Sequence, residues 1–520
     1  MARFGFLIDQ DTCIGCHACT VACKAEHDVP LGVNRTWVKY IEKGEFPDSQ
    51  RKFSVMRCNQ CDNAPCVTIC PTNALFVRHD GIVDFDTTSC IGCKSCMNAC
   101  PYDALYIDPD EHTAQKCNFC AHRIDVGLEP SCVIVCPTQS IVAGDLDDPS
   151  TRISQMVARH DVQVRAPEQG TRPKVFYKGA DEASLDPTRT RIADDGMIWA
   201  DTTAHHPTVP EIPVHLRARA DDSGKPRGGQ VVARTVYTTE HPMPWKSMVS
   251  AYLVTKSVAA GALMIAALLV LLGHAGHQGS VGILAPVVAG FFTFVTGVLL
   301  VADLKQPRRF WYLLTRPNWR SWLVRGAVIL GIYAAVSAAW FAAGLFDEAA
   351  AIRVLAGPGF ALGAATAGYT AYLFGQCEGR DLWQTPMLLP VLLAQAVIAG
   401  ASAFLVADVF LSIPEPDAIR WTLLGGIVAV AVFTFAELAA RGTAHVEMAV
   451  AEMTRGRYAT IFWLGGVFLG LAVPGALMVA ALALGSGGIA LSAAAGVCAV
   501  IGLAAYEDAF VRAGQSVPLS

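Results

Sequence analysis

Cysteine is the residue type in this chain whose spacing points most clearly to chemistry. Sixteen of the 18 cysteines lie within the first 136 residues, in four runs of four. Runs 1 and 3 have the spacing C-x2-C-x2-C-x3-C, run 2 has C-x2-C-x4-C-x3-C, and run 4 has a long central gap. In order, the runs are Cys13, Cys16, Cys19 and Cys23; Cys58, Cys61, Cys66 and Cys70; Cys90, Cys93, Cys96 and Cys100; and Cys117, Cys120, Cys132 and Cys136.

This spacing is typical of iron–sulfur proteins. Three closely spaced thiolates bind one cubane cluster, while the fourth cysteine reaches a neighbouring cluster. Runs 2, 3 and 4 each end on a proline: Pro71, Pro101 and Pro137. Four complete runs therefore predict four [4Fe–4S] clusters, with no three-iron variant, and a row of clusters passes electrons one at a time.

Two other uses of paired cysteines fit less well. Structural zinc closes with four ligands and needs no C-x3-C-P ending. Disulfides suit small secreted domains, whereas Met1–Gln10 predicts neither a cleavable nor a twin-arginine export signal. The two remaining cysteines, Cys377 and Cys498, lie in apolar stretches and are interpreted as inert packing residues.

Composition divides the chain into parts that must position these cysteines. The 520 residues have a mean hydropathy of +0.38 and only 16% charged residues, which is unusual for a soluble protein. The apolar excess lies entirely after Trp245. We expect a cluster domain over 1–180, a linker over 181–245 rich in Asp, Thr, Pro, Arg and His, and a membrane domain over 246–520.

The membrane domain contains eight apolar stretches. About 20 apolar residues cross the hydrocarbon core of a bilayer, and small residues allow helices to approach closely in lipid. The predicted spans are 250–272, 283–302, 322–345, 355–374, 387–411, 421–438, 461–484 and 489–510.

Basic residues predict the orientation. With eight spans, both termini share one side, and that side carries twelve lysines and arginines against two, Arg353 and Arg420, on the other. The twelve are Arg234, Lys246, Lys305, Arg308, Arg309, Arg316, Arg320, Arg380, Arg441, Arg455, Arg457 and Arg512. The positive-inside rule places the cluster domain on the cytoplasmic side of a bacterial inner membrane. Basic loops that dock the cluster domain would produce the same bias.

These residues resemble two known families. The four runs, DTCIGCHACTVACK (11–24) and PKVFY (173–177) are similar to the four-cluster electron-transfer subunits of dimethyl-sulfoxide- and polysulfide-reductase-type molybdopterin oxidoreductases. Four later stretches resemble NrfD/polysulfide-reductase membrane subunits, which interact with quinone: PWKSMVSAYLVTKSVAAGA (244–262), RRFWYLLTRPNWRSWLVRGA (308–327), GRDLWQTP (379–386) and GRYATIFWLGGVFLGLAVPGA (456–476). The resemblance implies an α+β ferredoxin-like tandem of two pseudo-symmetric dicluster modules, joined to an all-α bundle of eight transmembrane helices.

The resemblance also implies which cysteines share a cluster. Runs 1 and 4 would form one module, and runs 2 and 3 the other, with each cluster taking the last cysteine of its partner run. The implied sets are Cys13, Cys16, Cys19 and Cys136; Cys117, Cys120, Cys132 and Cys23; Cys58, Cys61, Cys66 and Cys100; and Cys90, Cys93, Cys96 and Cys70.

The membrane end of such a chain needs an electron carrier. The spans contain no facing pair of histidines for haem, and no Gly-rich nucleotide motif stands out, so we expect ubiquinone or menaquinone. Candidate quinone-binding residues are His241, Trp245, Tyr252, Lys256, Asp303 and Arg325. Tyr252 and Lys256 lie one helical turn apart and so share a face. The alternative is that Trp245 and Tyr252 are interfacial anchors and that Lys256 snorkels.

Ionisable residues within the spans are costly and raise a second possibility, proton transfer. The candidates are Asp408, Glu437 and Glu507, together with Tyr369 and Tyr372. They could relay protons, lie at the membrane interface, or pair with Arg380 and Arg441.

No substrate-binding catalytic site is evident, so the chain itself is predicted to be a non-catalytic subunit. It would pass electrons between a molybdopterin-containing catalytic subunit, like that of a sulfite or formate dehydrogenase, and the quinone pool. The other predicted partner is the lipid bilayer, and no nucleic acid is expected. The alternatives are a self-contained ferredoxin:quinone oxidoreductase and a proton-translocating energy-converting module.

Overall fold

The computed structural model describes residues 2–44, 47–192, 233–239, 242–440 and 442–520. Most of the predicted linker, together with the candidate residue His241 and the basic residue Arg441, lies outside the described residues.

Two four-stranded sheets frame the cysteine runs. The first sheet has the spatial order Ile141–Asp145, Phe4–Asp9, Val175–Lys178 and Val162–Gln163. The second has the order Thr190–Ile192, Ala233–Tyr237, Thr36–Lys43 and Gln50–Arg57. Phe4–Asp9 is parallel to Val175–Lys178 and antiparallel to Ile141–Asp145, so the first strand of the chain lies inside its sheet.

Two hairpins and a series of short helices complete this part of the chain. The hairpins pair Leu75–Val77 with Val83–Phe85, and Leu105–Ile107 with Ala114–Lys116. The helices are Ala18–Glu26, Pro65–Ile69, Ser95–Ala99, Ala121–Ile124, Ser131–Ile134, Arg152–Arg159 and Glu182–Leu185.

Four of these helices carry the cysteine runs. The helix of run 1, Ala18–Glu26, packs on the helix of run 4, Ser131–Ile134. The helix of run 2, Pro65–Ile69, packs on that of run 3, Ser95–Ala99. The packing joins the same runs that the family resemblance joins, which gives two modules of two runs each.

Two described pieces of the predicted linker belong to the second sheet. Strands Thr190–Ile192 and Ala233–Tyr237 pair with each other, and Ala233–Tyr237 also pairs with Thr36–Lys43. The boundaries that were predicted at residues 180 and 246 remain predictions.

Eight helices of the described chain are long and apolar enough to cross a membrane, which confirms the predicted number. In order, spans 1 to 8 are Ser247–Leu271, Gln278–Ala302, Trp322–Leu345, Ala349–Gly375, Leu388–Ala407, Pro416–Ala439, Ile461–Leu484 and Ile489–Ser516. Shorter helices between them are Pro307–Arg309, Tyr312–Thr315, Asp381–Gln384 and Ala444–Thr454. Together with the cluster-bearing part, these spans confirm the predicted fold class.

Span 1 is the central helix of the bundle. In its most apolar window 83% of the residues are buried, against 22% in the corresponding window of span 2. It packs against spans 2, 4, 5 and 8. Gly261 of span 1 touches the backbone of Ala396 and Gly400 in span 5, where no side chain would fit. Any polar group on span 1 near this depth therefore faces protein.

Candidate iron–sulfur and quinone sites

The cysteines of runs 1 and 4 approach one another across the two runs. Burial raises the pKa of Cys23, and the neighbouring Cys117, Cys132 and Cys120 thiols raise it further. Iron would remove this cost, because a thiol that coordinates a metal is deprotonated outright.

The other thiols of this module also approach residues of the opposite run. Burial raises the pKa of Cys13, and the thiols around it include Cys136 and Cys16. Burial likewise raises the pKa of Cys19 to about 12, with Cys13 and Cys136 among its neighbours. Cys136 thus lies near Cys13 and Cys19 of run 1, as Cys23 lies near the first three cysteines of run 4.

Runs 2 and 3 approach each other in the same manner. Burial raises the pKa of Cys66, whose neighbouring thiols are Cys100, Cys58 and Cys61. Each described group of thiols therefore combines three cysteines of one run with the last cysteine of its partner run.

The second group of this module is built around Cys96. Burial raises the pKa of Cys96, whose neighbours include Cys93, Cys90 and Cys70. These four residues are the set expected from run 3 and the last cysteine of run 2.

The four thiol groups are compatible with cubane clusters. All 18 cysteines are free. No three His, Cys, Asp or Glu side chains of the described ranges converge on the position of one metal ion. A zinc ion lies about 2.3 Å from each thiolate, so its four sulfurs must crowd together, whereas a cubane is itself several ångströms across.

Backbone geometry places amide groups next to the sulfurs. Gly15 and Gly92 adopt φ values of 70° and 68°, which turn the chain inside the C-x2-C segments. The amides of Gly92 and Ala114 each lie 3.4 Å from the sulfur of Cys90 and donate to it. Hydrogen bonds to the sulfurs are among the features that tune iron–sulfur clusters.

Two basic side chains also contact these sulfurs, and sequence analysis missed both. Arg57 Nη1 donates to Cys132 Sγ at 3.2 Å, and His27 Nε2 lies 3.2 Å from Cys120 Sγ. Burial lowers the pKa of His27 to about 4, with a smaller effect from Arg35. Their proximity to the cysteines depends on tertiary packing and leaves no periodic signal in the sequence.

The thiols of run 3 and Cys70 lie next to the membrane part. The indole nitrogen of Trp245 donates to the carbonyl of Cys93 at 3.2 Å, and Arg309 Nη1 donates to that of Cys90 at 2.9 Å. Asn318 Nδ2 donates to the carbonyl of Cys70 at 2.8 Å. This group is therefore bonded directly to the spans and their loops.

One end of run 1 lies at an exposed surface, although Cys19 and Cys23 are buried. Cys16 is exposed, and Ile14, Val21 and Ile134 next to this run and run 4 are 57%, 64% and 58% exposed. Run 1, at the exposed surface, and run 3, next to the membrane part, thus belong to different modules.

Lys256, a predicted quinone ligand, is completely buried in span 1. Its Nζ donates to the carbonyl of Ala367 at 2.9 Å and to Thr370 Oγ1 at 2.5 Å, both in span 4. It also lies 5.2 Å from the centre of the Tyr369 ring. The alternative that Lys256 snorkels is therefore wrong, and Thr370 is a partner that sequence analysis did not identify.

Three further candidates lie between Lys256 and the run 3 thiols. Tyr252 is buried within electrostatic range of Asp303 and Tyr369. Asp303 Oδ1 lies 2.8 Å from Nζ of Lys94, which follows Cys93 in the chain. Trp245 and Tyr252 are both buried and are therefore not interfacial anchors.

Two candidate quinone-binding residues, Arg325 and His241, are not placed next to span 1 by the described structure. Arg325 is exposed, donates to the carbonyl of Trp319 at 2.7 Å and lies over the Trp322 ring. His241 lies outside the described residues. The structure thus brings Tyr252 near Asp303 and Tyr369, and Lys256 near the same Tyr369, while Trp245 lies just before span 1 against Cys93.

Of the residues considered for proton transfer, two glutamates are placed next to other polar residues inside the bundle. Glu507 is buried near Lys256 and Gln395, and Glu437 lies near Thr385 and Tyr506.

The other members of that set lie apart. Asp408 Oδ1 accepts from the amide of Ile413 at 3.4 Å, and Tyr372 stacks on Trp322. Arg380 does not pair with a span carboxylate, since it donates to Asn98 and to the carbonyl of Val517.

Comparison with known families covers both parts of the chain. Residues 235–517 match the family described as polysulphide reductase, NrfD. Residues 12–75 and 50–146 match two families described as 4Fe–4S dicluster domains.

Several characterised proteins are similar to the N-terminal third. A subunit of tetrathionate reductase from Salmonella typhimurium is 44% identical over 194 residues, 36% of this chain and 77% of that protein. A component of polysulfide reductase from Wolinella succinogenes is 42% identical over 179 residues, 34% of this chain and 93% of that protein. Protein NrfC of Escherichia coli is 42% identical over 177 residues, 34% of this chain and 79% of that protein.

Proposed function

Because the chain belongs to the polysulphide reductase NrfD family, with an iron–sulfur subunit of the tetrathionate and polysulfide reductase type fused before it, we propose that it carries electrons between a molybdopterin catalytic subunit and the quinone pool. One observation carries the proposal: backbone carbonyls of run 3 accept hydrogen bonds from the membrane part, whose span 1 holds the buried Lys256, while Cys16 of run 1 lies at an exposed surface.

The sixteen cysteines of the four runs are the proposed ligands of four [4Fe–4S] clusters. The grouping of the thiols into four sets across paired runs supports this assignment. When bound, the clusters supply one-electron transfer. The protein contributes the ligands, the amide donors and the packing that excludes water.

We assign the docking surface of the catalytic partner to the exposed end of the cluster domain. Ile14, Val21 and Ile134 expose 57–64% of their area at the end of the domain that carries the exposed Cys16. Exposed apolar side chains around a redox site favour a protein partner. The three similar proteins described above include reductase subunits, which also supports a separate catalytic chain. A partner acting on sulfite or formate remains a prediction from sequence.

The quinone site is proposed next to span 1. Lys256 would donate to one quinone oxygen, and Tyr252 would hold the other. Asp303, held by Lys94, would exchange the proton. Trp245 would position the ring against the cluster domain, because it bonds Cys93 and stacks on Trp383 with ring centres 5.4 Å apart. His241 remains a candidate from sequence, and the exposed Arg325 is not included.

A second candidate function is proton transfer through the bundle. The observation that favours it is the burial of Glu507 beside Lys256 and Gln395, well inside span 8. Uptake of protons into sealed vesicles during quinone turnover tests this role, and an unchanged internal pH contradicts it.

Purification from the native host under anaerobic conditions tests the main proposal. A stoichiometric molybdenum-containing protein should accompany the chain, and its substrate should reduce the clusters. If instead the chain purifies alone and a soluble ferredoxin reduces it at full rate, the ferredoxin:quinone alternative is supported and the anchor role is wrong.

A further inference from the structure

Arg57 is a buried cation that is surrounded by thiols. It ends the strand Gln50–Arg57 and is 0% exposed. The groups that act on its charge most strongly are Cys132, Cys117 and Cys19. A buried charge is costly unless an opposite charge and hydrogen bonds compensate it. The structure must therefore supply negative charge at this position.

The guanidinium has more donors than the protein uses. Nη1 donates to Cys132 Sγ at 3.2 Å, and the flat face of the group lies 4.4 Å from the centre of the Phe6 ring. Nε and Nη2 have no hydrogen-bond partner among the described residues. Buried N–H groups of native proteins are almost always bonded, so these two nitrogens indicate a missing acceptor.

The acceptor must lie where the two thiol groups of one module meet. Cys19 belongs to the group built on run 1, whereas Cys132 and Cys117 belong to the group built on run 4. Arg57 interacts with both. The sulfur atoms of iron–sulfur clusters are hydrogen-bond acceptors, and such bonds shift reduction potentials.

We propose that Arg57 donates hydrogen bonds from Nε and Nη2 to the sulfur atoms of the two clusters held by runs 1 and 4, and that it thereby raises their reduction potentials. Reduction adds one electron to a cluster, and a fixed positive charge with directed N–H groups stabilises the added negative charge. This inference rests on the proposed cluster ligands.

The cations near the other module have protein acceptors. Nζ of Lys116 donates to the carbonyl of Cys117 at 3.0 Å and to that of Val83. Nζ of Lys94 lies 2.8 Å from the carboxylate of Asp303. The contrast predicts that loss of Arg57 changes two of the four potentials.

The test is a redox titration of the full-length protein, purified anaerobically in detergent and followed by electron paramagnetic resonance. In Arg57→Met, two of four midpoint potentials should fall. Each reduction equilibrium should weaken at least tenfold, which corresponds to about 59 mV for one electron. Arg57→Lys keeps the charge without the planar group, and should lower the same two potentials by less.

Arg35→Met is the matched control. Arg35 is also buried, but its side chain already bonds Tyr106 Oη at 3.2 Å and Gln115 Oε1 at 2.6 Å. Its loss should leave all four potentials unchanged.

Iron content distinguishes an error in the ligand assignment from an error in the proposed role of Arg57. If the unaltered protein lacks about sixteen iron atoms, the ligand assignment itself is wrong. If Arg57→Met holds its full iron and all four potentials are unchanged, the role of Arg57 is refuted. Should Arg57→Met not assemble, Arg57→Lys decides: two lowered potentials support the role, and four unchanged potentials refute it.

Discussion

Burying a charged side chain costs free energy, and Lys256 is the clearest example in this protein. An ammonium group inside a bilayer-spanning segment is expensive, and here it is completely buried and donates to Ala367 and Thr370. Those two contacts suffice to hold Nζ at a fixed position. A residue that served only as an anchor would place its charge at the membrane surface.

Lys256→Met should abolish quinone-linked turnover, because it removes the proposed donor to the quinone oxygen. Reduction of the clusters by the catalytic partner should continue at the normal rate, since that step precedes the quinone site. Quinone reduction by the purified complex is the measurement. Lys246→Met, an exposed lysine just before span 1, is the control and should retain full turnover. Normal quinone kinetics in an assembled Lys256→Met variant would refute the site.

Cys66→Ala should remove or convert one cluster. Cys66 is buried among Cys58, Cys61 and Cys100, so its loss leaves one cluster with three ligands. Iron should fall from about sixteen atoms per chain to between about twelve and fifteen, and transfer to quinone should stop. Cys498→Ala, in span 8, should keep the full iron content. An unchanged iron content in Cys66→Ala would exclude Cys66 as a ligand.

The proposed electron transfer requires that the transmembrane helices and the cluster domain lie close to each other. Trp245 precedes span 1 and joins it to the cluster domain through the carbonyl of Cys93. The same indole stacks on Trp383, which follows span 4, and packs edge-on against Phe374. These aromatic contacts fix span 1 below the run 3 thiols, so the quinone candidates lie directly under the membrane-facing cluster position.

Gly261→Val should weaken the packing of spans 1 and 5. A side chain at Gly261 would collide with the backbone of Ala396 and Gly400. Overpacking of this kind costs about 1–3 kcal/mol. The melting temperature in detergent should fall. Gly297→Val in span 2 is the control, because a Cβ there meets no atom within 4 Å. Equal melting temperatures for the two variants would contradict the close contact.

Sequence patterns predicted the spans and the cysteine runs better than they predicted the contacts between distant side chains. The eight spans and the cysteine runs are local signals, since apolar length and C-x2-C spacing are read within about 25 residues. Thr370 and Lys94 were missed, because their contacts with Lys256 and Asp303 join residues that are far apart in the chain. Arg57 was missed for the same reason, and Arg325 was included because sequence could not show that it faces outward.

The contacts between the cluster domain and the spans affect how the orientation of the whole protein in the membrane is predicted. Arg309, Arg316 and Arg380 were counted as basic residues of one side, and each bonds to the cluster domain. Arg234 also lies in a strand of the second sheet, beside Glu42. Without these four, eight of the twelve basic residues remain against two. The bias therefore still favours a cytoplasmic cluster domain, although docking explains part of it.

The orientation is tested with topology reporters. A reporter that is active only in the cytoplasm should work when fused after Ser520. A reporter that is active only outside should work when inserted after Gly276, between spans 1 and 2, where residues 272–277 contain no lysine or arginine. The reverse pattern would place the cluster domain outside.

We propose above that the clusters of this chain exchange electrons with a membrane quinone. The most direct measurement mixes the dithionite-reduced, iron-replete protein with a short-chain quinone under anaerobic conditions and follows visible absorbance. We predict that all four clusters are reoxidised by the quinone, and that Lys256→Met slows this step without slowing oxidation by ferricyanide. If ferricyanide oxidises the reduced protein and quinone does not, electron exchange between these clusters and quinone is refuted.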